Sequence, residues 1–216
     1  MVFKEIETLQ EKLEIRILQN FNPKKDLSNF LSEDKINVIK QELGENIAVP
    51  LLKFNPWILT LALNQVLYAK ADLDPQNGID MHLLNRAGKK NIEALESIDE
   101  QLDLLSSGTF EEQLKALKET IDELQNADKT IDWLTKLKKL YLENNTEELK
   151  DFIGSLLDMS EGISNDALLK DRNIVWADKF EEYLNKGGTT FVFAGLAHFL
   201  GEDSVFEQMK IKRILE

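Results

Sequence analysis

The tetrapeptide at residues 195–198, Gly-Leu-Ala-His, is the part of the sequence best suited to carry chemistry. It follows an apolar run at residues 190–194 that predicts a buried strand, so His198 is expected just past the carboxyl end of that strand. Ligands of open α/β sheets bind at this edge. Neutral imidazole can serve there as a metal ligand or a general base; a histidine hydrogen-bonded within a turn is the alternative. Gly195 would permit the tight turn.

Two glutamates are predicted to lie on or beside strands. Glu96 follows residues 92–95, a predicted strand, and its carboxylate could bind a metal or transfer protons. A first-turn glutamate, stabilised by the dipole of a helix that begins near Ser97, is the alternative. Glu5 lies within a predicted strand at residues 2–7, where a buried carboxylate would need a cation or a partner. An edge strand with solvated glutamates explains Glu5 equally well.

A helix predicted over residues 165–183 carries two polar residues beside an apolar stripe. Asn173 interrupts the stripe, and Arg172 lies at its edge. The stripe comprises Leu169, Asn173, Trp176, Phe180 and Tyr183. Because a buried amide or guanidinium needs partners, the pair could recognise an anion or a carbonyl, or orient a catalytic carboxylate. Alternatively, the arginine pairs with a structural acid and the asparagine caps a neighbouring loop.

Several sequence motifs that would indicate a particular chemistry are absent from the chain. The chain contains two histidines, and His82 lacks His-x-x-x-His or His-x-x-Glu spacing, so we predict a surface or half-buried residue. The sequence contains no phosphate-binding glycine loop, no G-x-S-x-G motif and no dinucleotide fingerprint.

The elements that would position these residues are strands near the two termini, with helices between them. Strands are predicted at residues 2–7, 92–95, 190–195 and 211–215, and long stretches of helical periodicity separate them. Ser32 and Asn55-Pro56 are typical helix starts. We therefore predict an α/β (α+β) fold, with a small mixed sheet near both termini flanked by many helices, and a predominantly helical middle region. Residues 1–216 are expected to form a single domain with a helical insertion at about 98–157.

Composition narrows the classes of partner and site. Apolar residues make up 43% of the chain and charged residues 30%, as in ordinary globular proteins. The formal net charge of -13 disfavours nucleic acid as a partner. The absence of cysteine excludes disulfides and thiolate metal ligands. No apolar run approaches the ~18 residues that indicate a transmembrane helix, so no transmembrane segment is predicted.

Five landmarks resemble the TraB/GumN family, which includes bacterial pheromone-shutdown proteins and the Tiki-type animal proteins. It is related more remotely to erythromycin-esterase-like and haem-binding ChaN-like proteins. The landmarks are Asn55-Pro56-Trp57, Gly78-Ile79-Asp80, Ala94-Leu95-Glu96-Ser97, Asp171-Arg172-Asn173 with Trp176, and Gly195 to Gly201 with its G-x-x-H-l-x-G pattern. Each is weak alone, but their shared order over about 50–216 makes the resemblance specific.

The resemblance implies a metal-dependent, peptidase-like hydrolase with a site at the sheet edge. That site would combine two G-x-x-H motifs with a glutamate and an arginine. The implied catalytic residues are Glu96, Arg172 and His198, the metal ligands Glu5 and His198, and the binding residues Asn173, Gly195 and Asp80. A divalent ion such as zinc, manganese or cobalt is expected. The first G-x-x-H, expected ahead of Glu5, is absent from this sequence. A site with one histidine and carboxylates would bind a divalent ion weakly and with poor selectivity, so the sequence leaves open whether the chain as given is active.

A non-catalytic protein of the same fold, binding a peptide or haem, is the alternative function. The missing first histidine and the long apolar helical region favour it. Haem would need an axial ligand, from His82, His198, a tyrosine or a methionine. The expected partner is a peptide or a small molecule, and the sequence does not determine whether the chain forms a homo-oligomer. The sequence also does not determine the cellular compartment; export or cell-envelope association is expected if a signal segment precedes Met1.

Overall fold

The structure, a computed structural model, describes the backbone of residues 2–88, 90–159 and 166–215; the side chains of residues 2–10 and 156–159 lie outside the description. Within these residues the regular structure is helical, and no strand or sheet is present. A single antiparallel bridge joins Phe21 to Phe54. The fold is therefore all-α, and the predicted α/β fold with a mixed sheet is wrong.

Eleven α-helices cover most of the described residues. They are α1 Val2–Gln19, α2 Glu33–Leu43, α3 Glu45–Leu51, α4 Pro56–Lys70, α5 Ile79–Ala87, α6 Ile98–Leu105, α7 Phe110–Gln125, α8 Ala127–Leu142, α9 Thr146–Met159, α10 Asp171–Lys186 and α11 Val205–Ile211. A π-helical turn, Asp166–Lys170, leads into α10, and a 3-10 turn, Leu196–Phe199, precedes α11. No helix in the described part of the chain is both long and apolar enough to cross a membrane.

The predicted strands near the termini are helix and turn instead. Residues 2–7 open α1, whose sequence continues with Leu9, Leu13 and Ile17 at helical spacing. Residues 211–215 close α11 and turn away from it. Arg213 adopts the left-handed region there, with φ 59°, and the N–H of Ile214 donates to the carbonyl of Met209. This is the geometry of a helix C-terminus, not of a strand.

The two internal segments predicted as strands are non-helical but have no strand beside them. Residues 91–94 and 189–195 carry no sheet pairing in the described structure. Phe191, expected in a buried strand, is 73% exposed. An apolar, β-branched run forms a strand only where a second strand supplies hydrogen bonds, and here the predicted strands at residues 2–7 and 211–215 are helix and turn.

The chain divides into two compact units, the first comprising residues 1–77 and 98–139. Its buried core is formed by one face each of α2, α4 and α7, including Ile39, Leu63 and Ile121. The predicted helix start at Ser32 is confirmed, because its side chain caps α2. The start at Pro56 is also confirmed. The expectation of one domain with a helical insertion stays a prediction.

The second unit comprises residues 78–97 and 140–216, and α10 is its central helix. The buried residues Asn173, Trp176, Ala177 and Phe180 recur at helical spacing along one face of α10. They pack against α11 through Val205 and Met209. The predicted stripe is thereby confirmed at its centre, and Asn173 lies in it with no exposed surface.

Candidate functional site

A group of four polar side chains lies where α10 meets two non-helical segments of the second unit. We call Glu96, Arg172, Asn173 and His198 the polar cluster. Arg172 and Asn173 lie in the first turn of α10, Glu96 in the segment before α6, and His198 in the 3-10 turn before α11. The structure thus brings together four of the seven residues that the sequence singled out.

Arg172 and Glu96 form a bidentate ion pair. Arg172 Nε donates to Glu96 Oε1 at 2.6 Å, and Nη2 donates to Oε2 at 3.0 Å. Arg172 Nη1 donates to the Leu168 carbonyl of the π turn at 2.8 Å. Because the side chains are only 24% and 10% exposed, the planar fork holds both the carboxylate and the turn in a fixed geometry.

Asn173 connects His198 to the chain that leads into α11. Asn173 Nδ2 donates to the Asp203 carbonyl at 2.7 Å, which identifies the other amide atom as the acceptor Oδ1. Asn173 Oδ1 lies 2.7 Å from His198 Nδ1. An acceptor at this place requires the proton of neutral imidazole to be on Nδ1, so Nε2 carries the lone pair.

Burial and neighbouring charge keep the His198 imidazole neutral. The side chain is 6% exposed. Desolvation and, to a smaller extent, the positive charge of Arg172 lower the pKa of His198 to about 4, while the negative charge of Glu96 opposes the shift. At neutral pH His198 is therefore a hydrogen-bond acceptor or a ligand, and it is a weak base, since efficient general bases have a pKa near the working pH.

Trp176 packs against the polar cluster and contacts both His198 and Arg172. Its indole lies against the His198 ring, with centroids 4.2 Å apart and planes tilted by 34°. The Arg172 guanidinium lies 5.2 Å from the indole centroid, within the range of a cation–π contact. The indole is 4% exposed, and its Nε1 has no hydrogen-bond partner among the described residues.

The other sequence-predicted residues lie apart from these contacts or outside the description. Gly195 begins the turn and its carbonyl accepts from the His198 N–H at 3.0 Å; a Cβ there would lie 3.8 Å from His198 Cδ2, in ordinary contact. Asp80 and His82 are exposed on α5. The side chain of Glu5 lies outside the described residues, so its role as a metal ligand stays a prediction.

A cleft lies beside the turn that carries His198. It has a volume of about 310 Å³ and is open to solvent on one side. It is lined by Tyr141, Leu142, Asn144, Thr146, Leu149, Leu196 and Leu200. Leu196 belongs to the turn and Leu200 follows it directly, so an occupant of the cleft would touch the same backbone that positions His198.

The described side chains do not by themselves make a complete metal site. Nowhere among them do three or more histidine, aspartate or glutamate side chains converge as ligands. In the polar cluster, His198 Nε2 is one available nitrogen donor, while both oxygens of Glu96 accept from Arg172. A protein metal site usually has three or more protein ligands, so the cluster supplies part of such a site at most.

The grouping of the sequence motifs agrees with a comparison against known families. A model of the TraB/PrgY/gumN family matches residues 2–214. The chain belongs to the TraB/PrgY/gumN family. The family resemblance read from the sequence is thereby confirmed.

One relative of this TraB/PrgY/gumN chain is an uncharacterized protein of Treponema pallidum (strain Nichols). The two are 30% identical over 220 residues, which cover 96% of this chain and 64% of the relative. The chain therefore spans less than two thirds of the length of the relative that it matches. No solved structure matches the chain.

Sequence reasoning missed three contacts that hold the cluster together. Trp176 was assigned to the apolar stripe, yet it also packs on His198. Lys179 Nζ donates to the Leu95 carbonyl at 2.6 Å, and Tyr183 hydrogen-bonds Glu93. The signal was present in the spacing: residues three, four and seven apart share one helix face, so Trp176, Lys179 and Tyr183 follow Arg172 along α10.

Proposed function

We propose that this chain is a hydrolase of the TraB/PrgY/gumN family whose reacting centre lies at Nε2 of His198. The observation that carries the proposal is the 2.7 Å contact between Asn173 Oδ1 and His198 Nδ1. It directs the lone pair of a neutral imidazole away from Asn173. Orienting the unused ring nitrogen through a hydrogen bond is how proteins prepare histidines as ligands or acceptors.

In this proposal, Nε2 of His198 accepts a hydrogen bond from the attacking water and takes its proton as the water oxygen bonds to the substrate carbonyl carbon; the imidazolium then gives that proton to the leaving amine as the amide bond breaks. Arg172 supplies positive charge beside it, which would stabilise an oxyanion that develops at the substrate carbonyl. Of the five guanidinium N–H groups of Arg172, three donate to Glu96 and to the Leu168 carbonyl, which leaves two for an oxyanion. Glu96 holds the guanidinium in place rather than acting as the base, because both of its oxygens accept from Arg172.

A divalent ion would supply Lewis acidity at such a centre. The described residues offer His198 Nε2 as one ligand and do not complete the site. Dependence on zinc, manganese or cobalt remains a prediction for experiment, as does the participation of Glu5.

The test is hydrolysis of a mixed peptide library by protein purified without a histidine tag, with and without added zinc, manganese or cobalt. His198→Ala is expected to abolish cleavage, and Asn173→Ala to reduce it. His82→Ala is the matched control, because His82 is exposed on α5 and should leave cleavage unchanged. Cleavage that persists in His198→Ala, or that never occurs in wild-type protein, would contradict the proposal.

A second candidate function, ligand binding without catalysis, is favoured by the cleft beside the turn. Its volume of about 310 Å³ is at the lower end of the range for small-ligand pockets. The leucines lining it suit an apolar ligand or peptide side chain. For haem, Tyr141 would be the axial ligand on the lining; a haem titration without a shifted Soret band would exclude that variant. Leu142→Trp, which narrows the cleft from an exposed position on its lining, should weaken binding.

A further inference from the structure

Two complementary hydrogen-bonding groups of the polar cluster are left over once the protein contacts are assigned. Trp176 Nε1 carries a donor hydrogen, is buried, and has no acceptor among the described residues. His198 Nε2 carries a lone pair in the tautomer that Asn173 selects, and none of the described hydrogen bonds involves it. One group lacks an acceptor and the other lacks a donor.

The cost of leaving the indole unsatisfied argues for an occupant. Native proteins satisfy buried polar groups with protein atoms, ordered water or ligand, because an unpaired donor is expensive. The two rings are in contact, with centroids 4.2 Å apart. One oxygen at about 2.9 Å from each of two nitrogens bridges a gap of up to about 5.8 Å, which is longer than the distance between the two ring centres.

We propose that Trp176 Nε1 and His198 Nε2 bind one shared oxygen, which accepts from the indole and donates to the imidazole. In the ligand-free protein this oxygen is a water molecule. A hydroxyl group could replace the water because it also accepts and donates, whereas a carbonyl or carboxylate oxygen has no hydrogen to give to His198. Trp176 is then a binding residue and more than a packing residue.

This inference rests on the proposed function for the role of the oxygen, since it names the water that His198 would position for attack. The existence of the shared oxygen depends only on the two rings. The two claims can therefore fail separately.

Nuclear magnetic resonance of the indole N–H groups tests the shared oxygen with two internal controls. The chain has three tryptophans: Trp57 Nε1 donates to Asn20 Oδ1 at 3.1 Å, and Trp133 is 39% exposed. We expect the Trp176 signal to exchange slowly with solvent and to show cross-relaxation with a long-lived water. The Trp57 signal should exchange slowly without a water peak, and the Trp133 signal should exchange fast. Trp176→Phe, which keeps a ring against His198, assigns the signal.

A crystal structure of the wild-type protein supplies the second measurement and needs no variant. We expect one oxygen within about 3.2 Å of both nitrogens, and its loss in Trp176→Phe. An indole N–H that donates to a protein atom, or separate waters on the two nitrogens, would overturn the inference. A shared water in a protein that cleaves nothing would support the inference and contradict the proposed function; cleavage without the shared water would do the reverse.

Discussion

His198 has its two ring nitrogens in different environments, and this difference is the basis of the proposed site. Nδ1 is bound to Asn173, which is itself anchored to the Asp203 carbonyl. Nε2 faces no protein partner among the described residues. The side-chain amide of Asn173 therefore acts indirectly: by accepting from Nδ1 of His198, it leaves the lone pair of the ring on Nε2.

Asn173→Ala should destabilise the protein by about 1–3 kcal/mol, because it leaves a buried histidine N–H and a backbone carbonyl without partners. Urea denaturation at neutral pH measures the change. Asn185→Ala is the matched control, since Asn185 lies on the same helix and is exposed; its effect should stay within about 0.5 kcal/mol. Equal effects of the two substitutions would mean that the Asn173 hydrogen bonds add no stability.

The low pKa of His198 makes stability depend on pH. The folded pKa is about 4 against an ordinary 6.5, so between these values the unfolded chain binds more protons. Stability therefore rises as pH increases from about 4 to 6.5, by about 3 kcal/mol in total at 1.36 kcal/mol per pKa unit. Urea midpoints across this range should show a weaker dependence in His198→Gln than in wild type, and an unaltered one in His82→Gln.

Sequence reasoning identified the residues of the cluster but gave the wrong reason for their proximity. Glu96 and His198 were placed together through the shared edge of a sheet, and no sheet is present in the described residues. Arg172 and Asn173 were left between functional and structural interpretations. Arg172 and Glu96 are 76 residues apart in the sequence. Their contact depends on tertiary packing, which the pattern of residues in a single sequence does not reveal.

At the scale of elements, hydrogen bonds from three side chains of α10 hold residues 91–97 along that helix. Arg172 binds Glu96, Lys179 binds the Leu95 carbonyl, and Tyr183 binds Glu93. The segment therefore runs antiparallel to α10, and the ion pair at the end of the row determines where Glu96 lies relative to His198.

Breaking the Arg172–Glu96 pair should release this segment. Each of Glu96→Gln and Arg172→Gln is expected to cost about 1.5–3 kcal/mol, because the pair is charged and largely shielded from water. The ¹⁵N order parameters of residues 91–97 should fall. The exposed pair of Lys210 with Glu207 provides the control, since Lys210→Gln should change stability by no more than about 0.5 kcal/mol. Unaltered order parameters at residues 91–97 would contradict the claim that the ion pair holds this segment on α10.

Helix boundaries were predictable where local chemistry determines them, and strands were not. Ser32 caps α2 and Gly44 ends it with φ 77°, as the residue types indicate. The strand predictions were wrong because a strand forms only when a second strand pairs with it. An apolar run such as residues 190–195 does not reveal whether such a second strand exists.

At the scale of the whole molecule, the described residues form two hydrophobic cores, one in each helical unit. The first is centred on α4 and α7 and the second on α10 and α11. All four members of the polar cluster belong to the second unit. The long helical middle region was predicted correctly; the sheet expected to organise the termini was not, since helix-to-helix packing performs that task in each unit.

The all-helical architecture predicts a far-UV circular dichroism spectrum that is fitted by helix and irregular structure alone. A spectrum that requires a substantial strand contribution would contradict the fold described for residues 2–88, 90–159 and 166–215.

The most direct test of the account is the protonation state of the His198 ring. Imidazole ¹⁵N resonances, recorded between pH 3 and 8 on wild-type protein and assigned with His198→Gln, report which nitrogen carries the proton. The account predicts a neutral ring protonated on Nδ1 down to a pKa of about 4. A proton on Nε2, or a titration near the ordinary 6.5, would contradict the claim that Asn173 prepares Nε2 as the functional atom.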